Sequence, residues 1–374
     1  MIVIVSHITD LNGPTENLIN YLKYKQIKFV SLSLPFSYSN KPISIETLES
    51  KKNFNLNFKN PFINILKDSI MILFLFFKYY RIRKIKYFIG INPMNFYLYF
   101  FLSKIFLIKI DNKILYTIDW IKDRFKSKYF NKIYHYIDSR AVIYCDVNWI
   151  VSQKIISVRK AQFRNINFKK FYHLPIGIRM NKNKLNNQIT KNICYVGAFH
   201  KEKGIELLLD ILSHYKFENK YDLKFHFIGK TPTTNKKSIS YEKIFKKKFN
   251  SLVVTKYFDN LIELDNYLYS MDIGFAFFDP NIKSISEFSD PSKIKDYISN
   301  GVVTIMNDFN PISQDIKKYS LGILMDYDKS KIISEIDNLY SNQDKILNMK
   351  KNINIYKNSI SWNNLFDKAL DYNV

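Results

Sequence analysis

The sequence has only two cysteines, Cys145 and Cys194, among its 374 residues. A disulfide framework and a cysteine-rich zinc fold are therefore excluded, and so low a count is typical of a reducing compartment. The six histidines are scattered and show no HExxH or paired-ligand spacing, so no zinc site is predicted. The GxxxxGK[ST] string of P-loop proteins and the GxSxG turn of α/β hydrolases are also absent.

Long apolar runs are missing as well. The longest uncharged stretch, residues 87–103, has Asn92, Pro93 and Asn95 in its middle and is shorter than the ~20 apolar residues of a membrane-spanning helix. The first residues, Met-Ile-Val-Ile-Val-Ser, have no basic segment before them. They predict a buried strand and not a signal peptide.

Acidic residues are scarce, with 33 against 57 basic ones and a net charge of +24. Such an excess calls for an anionic partner: nucleic acid, a membrane surface or a phosphorylated substrate. Only seven of the basic residues are arginine, and the chain is rich in Lys, Asn, Ile, Phe and Tyr. Because AT-rich coding DNA produces this composition, part of the charge reflects bias and not function.

What is present predicts two folded α/β domains. Hydrophobic residues make up 47% of the chain, and 374 residues exceed the roughly 250–300 that one core supports. Strands and helices alternate over residues 1–178, and the alternation restarts at residue 192 after a polar stretch. We therefore predict a first domain at 1–178, a linker at 179–191, a second domain at 192–341, and C-terminal helices at 342–374 that could cross back to the first domain.

Two clusters in the second domain have the residues of a phosphate site. In the first, Gly197 and Gly204 flank a short loop with Lys203 between a predicted strand and a helix, where free N–H groups and a cation can bind an anion. In the second, Pro291 and Ser292 begin a helix whose first turn carries Lys293, a position where a cation is unfavourable unless an anion is present. An ordinary turn with solvated lysines and a surface helix of mixed charge are the alternatives.

Together these segments resemble the donor-binding half of glycosyltransferases with the GT-B fold, particularly the family 4 type, over roughly residues 192–306. Residues 1–178 resemble a bacterial group of that superfamily more loosely, through Ser6-His7, Asn12-Gly13-Pro14, and the segments at 115–125, 146–152 and 173–178. The resemblance implies an α/β protein of GT-B architecture. It would have two Rossmann-like, doubly wound parallel-sheet domains facing a cleft, followed by C-terminal helices.

The resemblance also implies transfer of a sugar from a nucleotide-sugar donor to a glycan or lipid-linked glycan, in the assembly of bacterial lipopolysaccharide or capsule. Asp296 would hold the donor ribose, and Lys295 is a further candidate cation. Asn12 and Gly13 are predicted on the acceptor side. The residues predicted to bind the donor are Gly197, Lys203, Gly229, Lys230, Asp290, Ser292, Lys293 and Asp296.

Asp119 is the predicted catalytic residue, because it follows a predicted strand at 114–118 and should project into the cleft. If the reaction inverts configuration, its carboxylate could act as the general base on the acceptor hydroxyl. If the reaction retains configuration, Asp119 would orient the sugar. The alternative is a helix cap for the segment that follows.

The sequence departs from the family pattern at three places. Gly197-Ala198 stands where the family has Gly-Arg, and all seven arginines lie at or before residue 179, so that charge in the second domain must come from lysine. Phe288 stands eight residues before Asp296, where the family has the first of two glutamates. Glu287 or Asp290 could substitute, which leaves the stereochemistry open.

No metal or other cofactor is predicted beyond the nucleotide-sugar substrate. The triplet Asp326-Tyr-Asp328 could suggest a metal site. It lies beyond the last predicted core strand, at 302–306, and lysines can neutralise the donor phosphates.

The charge is also patterned. Residues 69–110 contain seven basic residues and no acid, and residues 147–201 contain eleven and no acid. Within the first segment, the apolar run 70–77 abuts Lys78, which predicts a cytoplasmic protein attached peripherally to the anionic inner face of the plasma membrane. A simple buried helix is the alternative for 70–77. A nucleic-acid-binding protein would explain the charge, but no zinc-finger, RNP or basic-helix motif appears, so no nucleic acid is expected. An inactive nucleotide-sugar-binding module is the third possibility.

Overall fold

A computed structural model of the chain describes residues 1–8, 13–35, 41–56, 61–78, 84–163, 167, 170–180, 186, 188–232, 240–282 and 287–372. The chain divides into two units, of which the first comprises Met1–Pro175 with Leu365–Val374, and the second comprises Ile176–Asn364. This division places Arg179 in the second unit, so the expectation that the second domain lacks arginine was wrong.

An eight-stranded sheet lies at the centre of the described part of the first unit. Hydrophobic strand residues such as Ile4 and Val5 are fully buried in it, as expected for a sheet covered on both faces. The strands are β1 (Ile2–Ile8), β2 (Phe29–Pro35), β3 (Ile43–Thr47), β4 (Lys51–Phe54), β5 (Lys84–Ile91), β6 (Lys109–Thr117), β7 (Val147–Ile150) and β8 (Phe171–His173).

The strands lie in the order β4-β3-β2-β1-β5-β6-β7-β8. From β2 to β8 in that order neighbouring strands are parallel, as predicted. The β3–β4 hairpin is antiparallel and extends one edge, which the sequence analysis did not foresee. The short β4 begins with three exposed polar residues, so it carries no hydrophobic alternation from which a strand could be predicted.

Helices connect the parallel strands of the first unit. α2, α3 and α4 pack side by side, and α3 lies against β1, β5 and β6. Tyr99 of α3 stacks on Phe88 of β5 with ring centroids 4.0 Å apart, which fixes this layer on the sheet. The helices are α1 (Pro14–Tyr24), α2 (Pro61–Lys78), α3 (Pro93–Ile105), α4 (Lys128–Tyr144) and α5 (Gln153–Gln162).

The second unit is built on a six-stranded sheet in which all pairs are parallel. The strand order β11-β10-β9-β12-β13-β14 becomes 3-2-1-4-5-6 when the strands are numbered within the unit, which is the doubly wound order of nucleotide-binding folds. The strands are β9 (Asn192–Val196), β10 (Lys224–Ile228), β11 (Val253–Lys256), β12 (Ile273–Ala276), β13 (Val303–Met306) and β14 (Gly322–Leu324).

Amphipathic helices cover this sheet. α6 buries Leu208, Ile211, Leu212 and Tyr215, which recur at the spacing of one helix face. The helices are α6 (Ile205–Tyr215), α7 (Tyr241–Lys248), α8 (Leu261–Leu268), α9 (Ser292–Asn300), α10 (Ile312–Lys318), α11 (Lys329–Ser341), α12 (Gln343–Ser359) and α13 (Trp362–Asp371). No helix among the described residues is long and apolar enough to cross a bilayer.

A buried ion pair anchors α12 in the second unit. Lys350 Nζ donates to Asp272 Oδ1 over 2.9 Å, and both side chains are almost completely buried. The other oxygen of Asp272 accepts from the backbone N–H groups of Thr190 and Lys191. One carboxylate therefore holds together α12, the start of β12 and the segment that leads into β9.

Candidate functional site

Two glycines bring the loops after β9 and β10 into contact in the second unit. Gly229 has a φ of +149°, and a Cβ atom on it would lie 2.0 Å from the carbonyl oxygen of Gly197. The N–H of Gly197 donates to the carbonyl of Ile228 over 2.9 Å. Only glycine allows this conformation and this approach. The two loops therefore share one backbone surface at the carboxyl ends of neighbouring strands.

A third loop, after β12, packs against the connection between β9 and α6. Gly204 has a φ of +74°, and a Cβ atom on it would lie 2.7 Å from the Cβ of Phe277. The single 3-10 turn Lys201–Lys203 precedes Gly204, and α6 begins directly after it. Lys203 is thereby placed at the start of α6, beside the end of β12.

Lys293 projects to this place from the first turn of α9. Its Nζ would lie 3.6 Å from a Cβ atom on Gly197, 4.2 Å from the ring centroid of Tyr195 and 5.5 Å from that of Phe278. The side chain is 9% exposed, and its ammonium has no hydrogen-bond partner among the described residues. Ring faces compensate a buried cation only in part. The position is therefore electrostatically suited to an anion.

Lys203 directs a second positive charge toward the same ring. Its Nζ lies 5.2 Å from the centroid of Phe278 and 3.6 Å from Glu202 Oε1. Burial lowers the pKa of Lys203, although Glu202 opposes the effect. Burial, and to a smaller extent the charge of Lys203, lowers the pKa of Lys293 to about 7. Two cations that disfavour each other in this way are stabilised together by a ligand with two negative charges.

The burial of these lysines decides between the alternatives left open by the sequence. Lys293 and Lys295 of α9 are both buried, so α9 is not a surface helix of mixed charge. The side chain of Lys203 is only 25% exposed, so it is not a solvated lysine of an ordinary turn. The glycine spacing and the helix dipole had singled out Lys203 and Lys293, and their role in donor binding remains a prediction.

Other predicted donor residues have partners inside the protein. Asp290 accepts from the N–H of Ile176 over 2.8 Å and from Lys295 Nζ over 3.1 Å, and both charged side chains are buried. This pair anchors the segment before α9, and its charge is balanced within the unit. Ser292 is exposed at the first position of α9. Direct contact of Asp290 or Ser292 with a donor remains a prediction.

The remaining predicted cation, Lys230, follows Gly229. Its Nζ lies 3.5 Å from the ring centroid of Tyr257, which is half exposed. The lysine thus lies over an aromatic ring beyond β10 and β11. Its contribution to donor binding also remains a prediction.

Asp296 belongs to a network that the sequence did not reveal. Arg179 Nη2 donates to Asp296 Oδ1 over 3.1 Å and to Asp265 Oδ1 over 3.2 Å, and Asn300 Nδ2 also donates to Asp265 over 3.0 Å. Burial raises the pKa of Asp296 to about 6, while the charge of Arg179 acts in the opposite direction. Arg179 therefore orients this carboxylate and favours its ionised form.

The first unit has a polar cavity of about 260 Å³ at the carboxyl ends of its strands. Gly13, which precedes α1, lies in its wall, as do Ile118 after β6 and the hairpin residues Glu46 and Lys51. Its lining includes hydroxyl, amide and charged side chains. Among the predicted acceptor-side residues the structure places Gly13 here, whereas Asn12 lies outside the described residues.

His7, at the end of β1, also lines this cavity. Its Nδ1 lies 2.7 Å from Asn92 Nδ2, and its Nε2 lies 3.5 Å from the buried carboxylate of Asp68 on α2. Asn92 adopts a φ of +78° and caps α3. The imidazole is therefore held at both nitrogens, which fixes its orientation in the cavity wall. The Ser6-His7 motif gave no sign of these partners, because they come from distant parts of the chain.

Asp119 follows β6 by two residues, as the prediction required. Its side chain is 40% exposed, and Arg124 Nη2 donates to its Oδ1 over 2.6 Å. The cap alternative was wrong, because no helix follows before α4, which begins at Lys128 after Ser127. The Arg124 guanidinium also makes a cation–π contact with Tyr134, 4.7 Å from the centroid of its ring, which helps to fix the position of the arginine.

The Asp326-Tyr-Asp328 triplet has a structural role. It lies beyond the strand at Val303–Met306, as predicted, and follows β14, a short strand that the sequence did not predict. Asp328 caps α11 by accepting from the N–H groups of Ser330 and Lys331, and Asp326 pairs with the side chain of Lys331. Within the described ranges no three His, Cys, Asp or Glu residues are grouped as metal ligands. The absence of a metal requirement remains a prediction.

Solved structures share this arrangement of two sheets. The chain is similar to Anabaena HepE in complex with UDP, with a TM-score of 0.67, 10% identity and 99% of both chains covered. It is similar to sucrose-phosphate synthase from Thermosynechococcus elongatus, with a TM-score of 0.67, 11% identity, and 100% of this chain and 98% of that one covered. The chain has the GT-B fold. The predicted fold class is thereby confirmed.

A third similar structure with the GT-B fold is TarM, at a TM-score of 0.59 and 15% identity. The match covers 90% of this chain and 62% of the length of TarM. No protein-family model matches the sequence, and no curated protein matches it. The narrower resemblance to the family 4 type therefore remains a prediction.

Proposed function

We propose that this chain is a glycosyltransferase that moves a sugar from a nucleoside-diphosphate sugar to a hydroxyl of a glycan or lipid-linked glycan. The observation that carries the proposal is that the Nζ atoms of Lys203 and Lys293 lie 5.2 Å and 5.5 Å from the ring centroid of Phe278, with Lys293 also beside Gly197. A diphosphate is the ligand that satisfies two clustered cations and the free N–H groups at the start of α9 together.

The same two lysines would lower the barrier to transfer. Negative charge develops on the diphosphate as the bond to the sugar breaks. Cations already fixed at that position stabilise the transition state more than the ground state. Because the pKa of Lys293 is about 7, only part of the lysine is protonated at neutral pH. Binding of the negatively charged diphosphate would raise this pKa and restore the positive charge.

Asp296 would hold the donor through its ribose. An ionised carboxylate accepts hydrogen bonds from two neighbouring hydroxyl groups, and Arg179 fixes the orientation of this one. HepE, which has the same fold, was solved in complex with UDP. UDP is therefore the first nucleotide to test.

The acceptor would bind in the first unit. The polar wall of its cavity, with Gly13, Glu46 and Lys51, suits a ligand with many hydroxyl groups. Asp119, held by Arg124, would orient the acceptor hydroxyl or take its proton. Assembly of bacterial surface polysaccharide at the inner face of the plasma membrane, without a metal ion, is the setting we propose. Removal of divalent cations with a chelator should leave the transfer rate unchanged.

A thermal-shift and hydrolysis screen with nucleoside diphosphates and their sugar derivatives tests the proposal. UDP or a related diphosphate should raise the melting temperature, and the matching nucleotide-sugar should be hydrolysed slowly without an acceptor. Lys293→Met should reduce the shift, whereas Lys246→Met, at an exposed lysine of α7, should leave it unchanged.

Two results would overturn the proposal. One is the absence of stabilisation by any nucleoside diphosphate. The other is tight, salt-sensitive binding of oligonucleotides in its place, because that is the behaviour of a nucleic-acid-binding protein.

A further inference from the structure

One side of α2 is apolar and exposed. Leu66, Ile70 and Phe77 are 62%, 55% and 63% exposed, and the less exposed Ile63 and Phe74 complete the series. These positions differ by three or four residues, so they form a single stripe along the helix. The opposite side of α2 is buried against the unit, with polar side chains in its first half and apolar ones, such as Ile72 and Leu75, in its second half. The first unit therefore leaves the apolar stripe of α2 exposed.

The stripe continues beyond α2. The rings of Phe77 and Phe106 lie 5.8 Å apart, which joins α2 to the end of α3, where Ile105 and Leu107 are also exposed. On the far side of α3, the neighbouring α4 exposes Tyr129 among other aromatic residues. We refer to the exposed sides of α2, α3 and α4, with Phe106 and Leu107, as the outer helix face.

Negative charge is missing from this face. The three helices contain two acidic residues, and both are buried and paired: Asp68 with Lys67 and His7, and Asp138 with Arg159. Their exposed lysines are Lys78, Lys104, Lys128 and Lys132.

These lysines lie beside the apolar residues. The Nζ of Lys78 lies 5.8 Å from the ring centroid of Phe74, and that of Lys104 lies 5.6 Å from the ring of Phe100. The apolar stems of such lysines cover hydrophobic surface while their charges remain at its edge. The outer helix face therefore combines an apolar centre with cations and has no exposed acid.

We propose that the outer helix face docks on an anionic lipid bilayer, with α2 and the end of α3 at the depth of the headgroups. Contiguous exposed apolar surface marks an interaction site, and a helix with an apolar side and lysines at its border is typical of a membrane interface. A nucleic acid would use the lysines but not the aliphatic stripe. This inference rests on the membrane setting of the proposed function and assigns it to a defined surface.

Co-sedimentation with vesicles tests the assignment. The full chain is mixed at low salt with vesicles of phosphatidylcholine, or with vesicles in which about a third of the lipid is phosphatidylglycerol. Binding should need the anionic lipid and should weaken with salt, because each lysine near such a surface contributes ~1 kcal/mol. Lys78→Glu/Lys104→Glu should bind at least a hundredfold more weakly, and Leu66→Gln/Phe77→Gln at least tenfold more weakly.

Matched controls lie in the second unit. Phe217→Gln/Ile355→Gln removes apolar side chains that are 81% and 75% exposed, and Lys246→Glu/Lys247→Glu reverses two exposed charges. Both double variants should bind vesicles like the unaltered chain. Equal binding by the outer-face and control variants would overturn the assignment, as would recovery of the unaltered chain in the supernatant with both vesicle types.

The oligomeric state and the hydrolytic activity of the same samples are two further readouts. If Leu66→Gln/Phe77→Gln turns a dimer into a monomer and leaves vesicle binding intact, the face joins two copies of this chain and the proposal is wrong. Vesicle binding without hydrolysis of the nucleotide-sugar would refute the proposed function but not the surface. Hydrolysis without vesicle binding would refute the surface alone.

Discussion

The two units differ in the kind of unfavourable group that each contains: exposed apolar side chains in the first unit and a buried cation in the second. In the described part of the chain, twenty of the 26 large hydrophobic side chains that are exposed belong to the first unit. The second unit exposes few such side chains, but it buries the ammonium of Lys293 without a hydrogen-bond partner among the described residues. An apolar surface in water and a buried cation are both unfavourable in the isolated protein. Each therefore supports one of the two proposals: docking on a lipid surface for the first unit, and binding of an anion for the second.

The largest effect that we expect is on the stability of the second unit, which contains the buried pair of Lys350 and Asp272. Lys350→Ala should lower the free energy of unfolding by roughly 3–5 kcal/mol, because it leaves Asp272 buried without its cation. Denaturant titration measures the change. Lys351→Ala, at the exposed neighbouring position, should alter stability by less than about 0.5 kcal/mol. Equal effects of the two substitutions would contradict the anchoring role of Lys350.

The next largest effect is expected in the first unit, where we expect Asp119 to be needed for sugar transfer but not for binding of the donor. Asp119→Asn should lower the transfer rate at least a hundredfold, which is about 2.7 kcal/mol, while the dissociation constant of UDP stays within twofold. The control is Asp123→Asn, at an exposed residue on the same loop. Weaker UDP binding by Asp119→Asn would show that the division of labour between the units is wrong.

A smaller effect is expected from one cation of the donor site. Lys203→Ala should lower kcat/KM at least tenfold, which is about 1.4 kcal/mol. The substitution removes one of the two lysine cations that would stabilise the leaving diphosphate. Lys201→Ala changes a lysine two residues away whose side chain is 62% exposed, so it should leave kcat/KM unchanged. Similar losses in both variants would mean that the burial of Lys203 has no bearing on the reaction.

The smallest predicted effect is a dependence on pH. Because the pKa of Lys293 is lowered to about 7, its charged form is lost as the pH rises through 7. UDP, which binds the charged form, should therefore bind about fivefold more weakly at pH 8 than at pH 7. Isothermal titration at both pH values measures this ratio. In Lys293→Met the ratio should fall close to one, and a steep dependence that persists there would have to come from another group.

The sequence predicted the central parallel strands of both units, because each carries a local hydrophobic pattern. It missed the β3–β4 hairpin, in which β4 begins with three exposed residues, and the three-residue strands β8 and β14. It also made no prediction for several helices between the strands, among them α4 and α7. It predicted that Lys203 and Lys293 lie at helix starts, because Gly204 and Pro291 mark those starts locally. It could not show that Arg179 joins Asp296, since 117 residues separate the two side chains.

The same limit applies to the burial of individual side chains. Asp290 and Lys295 both fit a motif for donor binding, and only their common burial shows that they neutralise each other. The apolar run at 70–77 gave two readings, a buried helix or an interfacial one. In the structure, one side of α2 is buried and the other side is exposed, so the helix has a feature of each reading. The periodicity of a single helix does not show which of its sides packs against the rest of the unit.

Residues from Leu365 onward belong to the unit that begins at Met1. There, Phe366 is fully buried between Tyr21 and Trp149, and Asp367 accepts a hydrogen bond from the Tyr21 hydroxyl over 2.6 Å. Domains generally fold in the order in which the ribosome makes them. The second unit is continuous in sequence, so all of it is synthesised before the residues of α13 that cover Tyr21 and Trp149. The first unit therefore cannot complete its fold until the whole second unit has been translated.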